Sequence, residues 1–334
     1  MPSFLLSRFD KYRSDPHLKF SWGERSYFQY PHLFITYADG KNWYDLRKEW
    51  SIPEDVDVMA DSGGFQFLSG RLTMLDPVDV IEWQNRNANR GMALDLPPYT
   101  SPSKKELKDF EDYMYKSVLN YKVMYDRRKE SMLLYAPIHG IDDKTLEEWK
   151  NATDAVGDWD AYAFASPHDP LEYIRRIKFI IEHKIEKPIH FLMAGGTLPY
   201  LLLARFSIFY PYQITVDSST FSTLMKEYGF IIDLVRQRVI TIGKSESSAR
   251  NRIGCLCPVC QQTKDLNNEK FNELGIIAFH NMYMLIWRFE FLSSIASENY
   301  QVLKEVIGDD VQYIKQLDHI LGVKEGVKLD DYIR

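Results

Sequence analysis

One local theme recurs through the middle of this chain: a short apolar run, a polar or glycine-rich turn, then a stretch with helical periodicity. The apolar runs fall at residues 33–37, 56–61, 91–95, 132–140, 161–166, 189–196, 213–217 and 239–242. Helical patterns occupy 103–128, 170–183 and 198–207 between them. Parallel strands cannot be joined by tight turns and need a long crossover, usually a helix. The alternation therefore predicts parallel βαβ units. Seven or eight units favour an α/β fold of the TIM-type (β/α)₈ barrel kind, with an open doubly wound sheet as the alternative. Helical patterns at 271–297 and 300–321 would cap or extend the barrel. A chain of 334 residues, 45% of them hydrophobic, can bury a core of that size.

No Pro/Gly-rich linker interrupts the pattern, so residues 1–334 read as one domain. It would carry a small metal-binding subdomain at about 244–290 and a helical C-terminal segment at about 291–334. The early apolar run Phe4-Leu5-Leu6 is too short for a signal peptide. No later stretch approaches the roughly 20 apolar residues of a membrane span. A soluble, cytoplasmic protein with no membrane partner is expected.

All three cysteines lie within six residues, Cys255, Cys257 and Cys260, and His280 follows in a helical pattern. An odd, clustered set makes a poor disulfide framework and a good metal site. Three thiolates and one imidazole complete a tetrahedral shell, which predicts one structural Zn²⁺ per chain with no open catalytic position. Free buried cysteines beside an unrelated histidine are the alternative.

The net charge of −6 does not advertise nucleic-acid binding, but binding uses local patches. Arg236, Arg238, Lys244, Arg250, Arg252 and Lys264 flank the cysteines with only Glu246 opposing them. They are candidates for contacts to a nucleic-acid backbone, against the plainer reading of a solvated charged face.

Three aspartates, Asp61, Asp95 and Asp217, each end an apolar run. The C-terminal strand ends of a barrel line the active-site face, so the three could converge. The alternative for each is an N-cap of the next helix. Asp61 begins Asp61-Ser62-Gly63-Gly64-Phe65-Gln66, where glycines let backbone approach a ligand, Phe65 offers a stacking face and Gln66 an amide. Met193, before Ala194-Gly195-Gly196, could face a planar ligand from the other side or simply pack in the core.

Together these residues resemble the tRNA-guanine transglycosylase superfamily, in order, from about residue 56 to 290. The Asp61–Gln66 segment resembles its base-pocket motif, and Asp95 the aspartate that reads the purine edge. Leu192-Met193-Ala194-Gly195 resembles the strand whose methionine stacks on the base. Asp217 matches the nucleophile, and Cys255, Cys257, Cys260 and His280 the zinc ligands. The resemblance implies base exchange by double displacement. Asp217 would attack C1′ and expel guanine, Asp61 would act as general acid and base, and a 7-deazaguanine such as preQ0 or preQ1 would then enter. The target would be single-stranded or flipped out of a duplex.

The sequence also departs from that family. Ile138-His139-Gly140 stands where the tRNA enzymes usually have glutamine-glycine, and Ala163-Phe164-Ala165-Ser166 where they have a glycine-rich strand end. Ser218-Ser219-Thr220-Phe221 replaces the usual proline-threonine-arginine stretch after the nucleophile. His139 with Gly140 would contact the base in place of glutamine, or else His139 is a structural histidine. These changes resemble the DNA-modifying branch of phages and bacterial genomic islands, so DNA is favoured over tRNA as partner, in the host cytoplasm if phage-encoded. A homodimer through the zinc region and a protein that opens duplex DNA are partners the resemblance admits. The competing readings are the same chemistry on a tRNA anticodon loop, a non-catalytic RNA-binding relative, and an unrelated barrel hydrolase that shares only the zinc appendage.

Overall fold

The apolar runs form strands where their residues alternate between two packed faces. In the computed structural model, which describes residues 28–65, 75–98, 109–165, 169–192, 194–218, 230–233, 238–241, 255–263 and 273–323, seven strands pair in parallel and in sequence order. They are β1 (His32–Thr36), β2 (Asp57–Asp61), β3 (Arg90–Met92), β4 (Leu133–Ile138), β5 (Ala161–Ala165), β6 (Ile189–Leu192) and β7 (Ile214–Val216). The crossovers carry α1 (Tyr37–Gly40), α2 (Leu46–Trp50), α3 (Pro77–Asn87), α4 (Phe110–Arg127), α5 (Asp143–Asp154), α6 (Pro170–Glu182) and α7 (Thr197–Ser207).

Helix starts follow local chemistry. Asp76 and Asp169 each precede a proline and accept the amide two residues on, at 2.8 and 3.0 Å. Proline at the first helical position has no amide to leave unpaired. In α5, Asp142 and Thr145 form a reciprocal capping box.

The sheet is strongly curled. Neighbouring strands sit about 4.8 Å apart, so a flat sheet would separate β1 from β6 by roughly 24 Å. Instead Phe34 of β1 stacks on His190 of β6 with ring centroids 5.5 Å apart. Arg90 of β3 likewise reaches Gln213, just before β7, at 2.5 Å. Alternate residues therefore line an interior: Phe34, Met59, Met92, Tyr135, Ala161 and Ala163 form a small buried cluster. Small and large side chains interleave there, as close packing inside a tightly curled sheet requires. Residues of the other parity, such as Leu134, Phe164 and Phe191, pack outward against the helices.

Two expectations change. The run at 239–242 was expected to supply a later strand of the barrel. Its residues fall largely in β9 (Arg238–Thr241), which pairs antiparallel with β8 (Phe230–Asp233) in a separate two-stranded sheet. Among the described residues β7 has no ladder to β1, so the coarser architecture, a curled barrel-like α/β sheet, is what stands. The single helix expected at 300–321 breaks at Gly308, whose φ of +62° is costly for residues with a Cβ. It leaves α10 (Tyr300–Ile307) and α11 (Val311–Leu321), which follow α8 (Pro258–Thr263) and α9 (Glu273–Ile295).

The C-terminal helices are tied to the sheet layer by α9 and α11. Tyr200 of α7 stacks on Phe289 of α9 at 4.1 Å. Buried Arg205 makes a two-pronged pair with buried Asp318 at 2.8 and 2.6 Å and caps the carbonyls of Ala296 and Glu298. The Tyr300 hydroxyl donates to the same carboxylate at 2.8 Å. No described helix is long and apolar enough to cross a membrane.

Candidate functional site

The two ends of the strands differ in charge balance. At the N-terminal end, Asp57 of β2 meets Arg90 at 2.9 Å and His32 at 3.6 Å. Arg90 also donates to the Tyr135 hydroxyl at 3.1 Å. Burial alone would raise the Asp57 pKa, but His32 and Arg90 together hold it below the ordinary carboxylate value.

At the C-terminal end the three aspartates gather. Asp61, the last residue of β2, accepts from the Gly63 amide at 3.2 Å and is hydrogen-bonded to the Thr36 side chain. Burial pushes its pKa up to about 7, and the charge of Asp95 pushes the same way. The hydrogen bonds from Thr36 and Gly63 oppose this, and Asp217 adds a smaller upward push. A carboxyl group that titrates near neutrality can both give and take a proton.

Asp95, three residues beyond β3, is buried and held from two sides. His139 Nε2 lies 2.7 Å from one oxygen, and the Ser62 hydroxyl donates to the other at 3.4 Å. His139 is only 1% exposed and sets its ring edge against Trp149, with centroids 4.8 Å apart. It stands behind Asp95. The glycines also serve close approach within the fold. A Cβ on Gly64 would lie 2.1 Å from the Asp95 carbonyl oxygen, and one on Gly140 would lie 2.5 Å from the Leu146 amide. Gly63 has φ +86°, which favours glycine. The glycine pair therefore brings the ends of β2 and β3 together, and Phe65 is left 44% exposed beside them.

Asp217, one residue beyond β7, is buried with an oxygen 3.3 Å from His190 Nε2. The other ring nitrogen of His190 lies 2.8 Å from the Thr215 hydroxyl. Neither His190, Thr215 nor Thr36 was among the candidate residues. The signal was available for His190: it lies between Ile189 and Phe191, which pack outward, so strand alternation turns the polar residue inward. Side-chain caps on the described helices come from Thr36, Asp45, Asp76, Asp142, Asp169 and Asn299, and none from Asp61, Asp95 or Asp217.

The cysteine cluster forms as expected. The ligand atoms of Cys255, Cys257, Cys260 and His280 all lie within 4.8 Å of one another. The three sulfurs stand 3.7, 3.3 and 3.3 Å from His280 Nδ1. Tetrahedral bonds of zinc to sulfur and nitrogen imply a sulfur–nitrogen edge of roughly 3.5 Å, so the cluster fits such an ion. Backbone amides of Cys257 and Cys260 point at the sulfurs of Cys255 and Cys257 at 3.4 and 3.3 Å, as suits thiolates. The group could hold a metal ion. It is built into the fold, because Cys257 and Val259 share a core with Leu33, Trp50, Phe279 and Met282.

Of the remaining candidates, Ala194 is buried and Gly195 half-buried, just before α7. Gln66, Met193, Arg236, Lys244, Arg250, Arg252 and Lys264 lie outside the described residues, and of Arg238 only the backbone is described, in β9. No protein-family model matches the chain, and no curated protein matches it. The site thus rests on its own geometry: three carboxyl groups at one end of a curled parallel sheet, two of them oriented by histidines and one raised toward neutrality.

Proposed function

We propose that this chain is a guanine transglycosylase that replaces guanine in a nucleic acid by a 7-deazaguanine base of the preQ0 or preQ1 kind. The observation that carries the reading is the gathering of Asp61, Asp95 and Asp217 at one strand end, although 156 positions separate the first from the last. Parallel α/β barrels place their chemistry at that end. On this reading the sheet belongs to a complete (β/α)₈ barrel, and the Cys₃His group holds a structural zinc.

The three carboxyl groups divide the work. Asp217 attacks C1′ of the target nucleoside; the C1′–base bond breaks and its electron pair leaves with guanine. Asp61, with its pKa near 7, supplies the proton the departing base needs. The incoming base then gives a proton back to Asp61 as its nitrogen displaces Asp217 from C1′. Asp95 accepts N–H groups of the base edge, and His139 and Ser62 fix the direction of its oxygens. Exposed Phe65 offers a stacking face. One glycosidic bond replaces another, so the exchange needs neither ATP nor a redox cofactor. A bound zinc would stabilise the junction of Cys255–Cys260 with α9 and takes no part in these steps.

DNA is the favoured substrate. Support comes from Ser218-Ser219-Thr220-Phe221 after the nucleophile and from buried His139 in place of a glutamine amide. The test is nucleoside mass spectrometry after incubation with DNA or tRNA plus preQ0 or preQ1. A deazaguanine 2′-deoxyribonucleoside supports the DNA reading, a modified ribonucleoside transfers the activity to tRNA, and neither product refutes the exchange. Elemental analysis should find about one zinc per chain. A folded, metal-free protein would contradict the structural-zinc assignment.

A further inference from the structure

Asp217 is the group whose aim matters most to the proposed reaction, and the fold surrounds it with an arrangement that the candidate motifs do not include. His190 and Thr215 are direct partners in the β6–β7 ladder, so backbone pairing sets their side chains against each other. The imidazole plane is fixed from two further strands. Phe34 of β1 lies parallel to it at 5.5 Å with 4° between planes, and Tyr135 of β4 meets it edge-on at 6.4 Å. A ring held this way has one nitrogen for Thr215, at 2.8 Å, and the other for Asp217, at 3.3 Å.

We propose that His190 and Thr215 form a positioning relay for Asp217: the Thr215 hydroxyl donates to Nδ1, the ring proton resides on Nε2, and Nε2–H donates to Asp217 Oδ1. A carboxylate only accepts, so a hydrogen bond to it requires the proton on Nε2. A neutral imidazole then has an acceptor at Nδ1, which the hydroxyl fills. The hydroxyl's other acceptor, the Ile189 carbonyl, is 3.5 Å away and competes poorly. Burial favours the neutral ring: it lowers the His190 pKa against the opposing pull of Asp217, and the Arg90 charge lowers it further.

The consequence is aim without neutralisation. An imidazolium would offset the negative charge that Asp217 needs for attack on C1′. A neutral N–H donor fixes the direction of the carboxylate and leaves that charge in place. No proton passes through His190: as the Asp217–C1′ bond forms, the electron pair of the broken bond leaves with the base, and the proton comes from Asp61. His190 and Thr215 are thus positioning residues, and misplacing a reacting group costs roughly 10- to 100-fold in rate.

The inference rests on the transglycosylase reading for its kinetic test, so a structural test accompanies it. Long-range ¹H–¹⁵N spectra of the labelled protein at pH 7.5, assigned by the signal missing from His190→Gln, should show His190 as the neutral Nε2–H tautomer. An Nδ1–H tautomer or an imidazolium would overturn the relay whatever the enzyme does. In single-turnover formation of the sugar adduct, Thr215→Val should slow the step roughly 10- to 100-fold, with base affinity within about threefold of wild type. Thr215→Ser should restore the rate. An unslowed Thr215→Val, or a Thr215→Ser that behaves like valine, would contradict the relay. A wild type that never forms the adduct would sink the transglycosylase reading instead, while the spectra still decide the tautomer.

Discussion

Asp57 and Asp61 lie four residues apart on the same inward face of β2, yet their carboxyl groups are driven in opposite directions. At the N-terminal end Arg90 and His32 compensate the charge of Asp57 and close the interior with a network reaching Tyr135 and Gln213. At the C-terminal end burial, with further negative charge from Asp95 and Asp217, raises the Asp61 pKa to about 7. One strand therefore carries a structural carboxylate and a chemically poised one, and depth of burial together with charged neighbours decides which is which. Perturbation by burial plus like charge is the pattern that marks functional sites.

The largest expected effect is on exchange. Asp61→Asn removes the proposed proton carrier and should slow base exchange by roughly 10²- to 10⁴-fold. Its stability at pH 8 should match or exceed wild type, because a buried, uncompensated charge has gone. A variant that exchanges normally, or unfolds, would erase the contrast with Asp57. At the other end, Arg90→Met should destabilise the protein by about 2–4 kcal/mol in denaturant unfolding, since it strands Asp57 in a partly buried site. Adding Asp57→Asn should recover part of that loss. If it recovers none, the pair does not compensate as described.

A further expected effect is on the shape of stability against pH. The folded Asp61 pKa of about 7 lies above its unfolded value near 3.8. The native state therefore binds more protons between about pH 4 and 7, and stability falls as pH rises through that window. Asp57 has the opposite sign: its folded pKa is depressed, so its contribution is present above the unfolded value and is lost in acid, as pH falls through the folded pKa. Denaturant midpoints of Asp61→Asn should lack the decline between pH 4 and 7 and keep the acid loss. The reverse outcome would exchange the roles of the two ends.

How much of this was legible in the sequence follows from range. Asp76-Pro77 and Asp169-Pro170 announce helix starts by chemistry within three residues. Cys255, Cys257 and Cys260 announce a metal group because so few loop shapes use that spacing, and His280 falls into place with them. The aspartates at apolar-run ends were visible as candidates because parallel strands share a direction. The environment of each was not visible. That His139 stands behind Asp95, that Gly64 is required by the Asp95 carbonyl, and that Asp217 is held by His190 all depend on which strands are neighbours. The run at 239–242 misled for the same reason: four apolar-rich residues specify a strand, but pairing with β8 decides its sheet.

The most direct test of the account is intact-protein mass spectrometry after brief incubation with a single-stranded guanine-containing oligonucleotide, comparing wild type with Asp217→Ala. Wild type should gain the mass of the oligonucleotide less one guanine, and addition of preQ1 should discharge it. Asp217→Ala should gain nothing while still binding the free base. An adduct that persists in Asp217→Ala, or exchange by wild type through no adduct at Asp217, would contradict the claim that this carboxylate is the nucleophile.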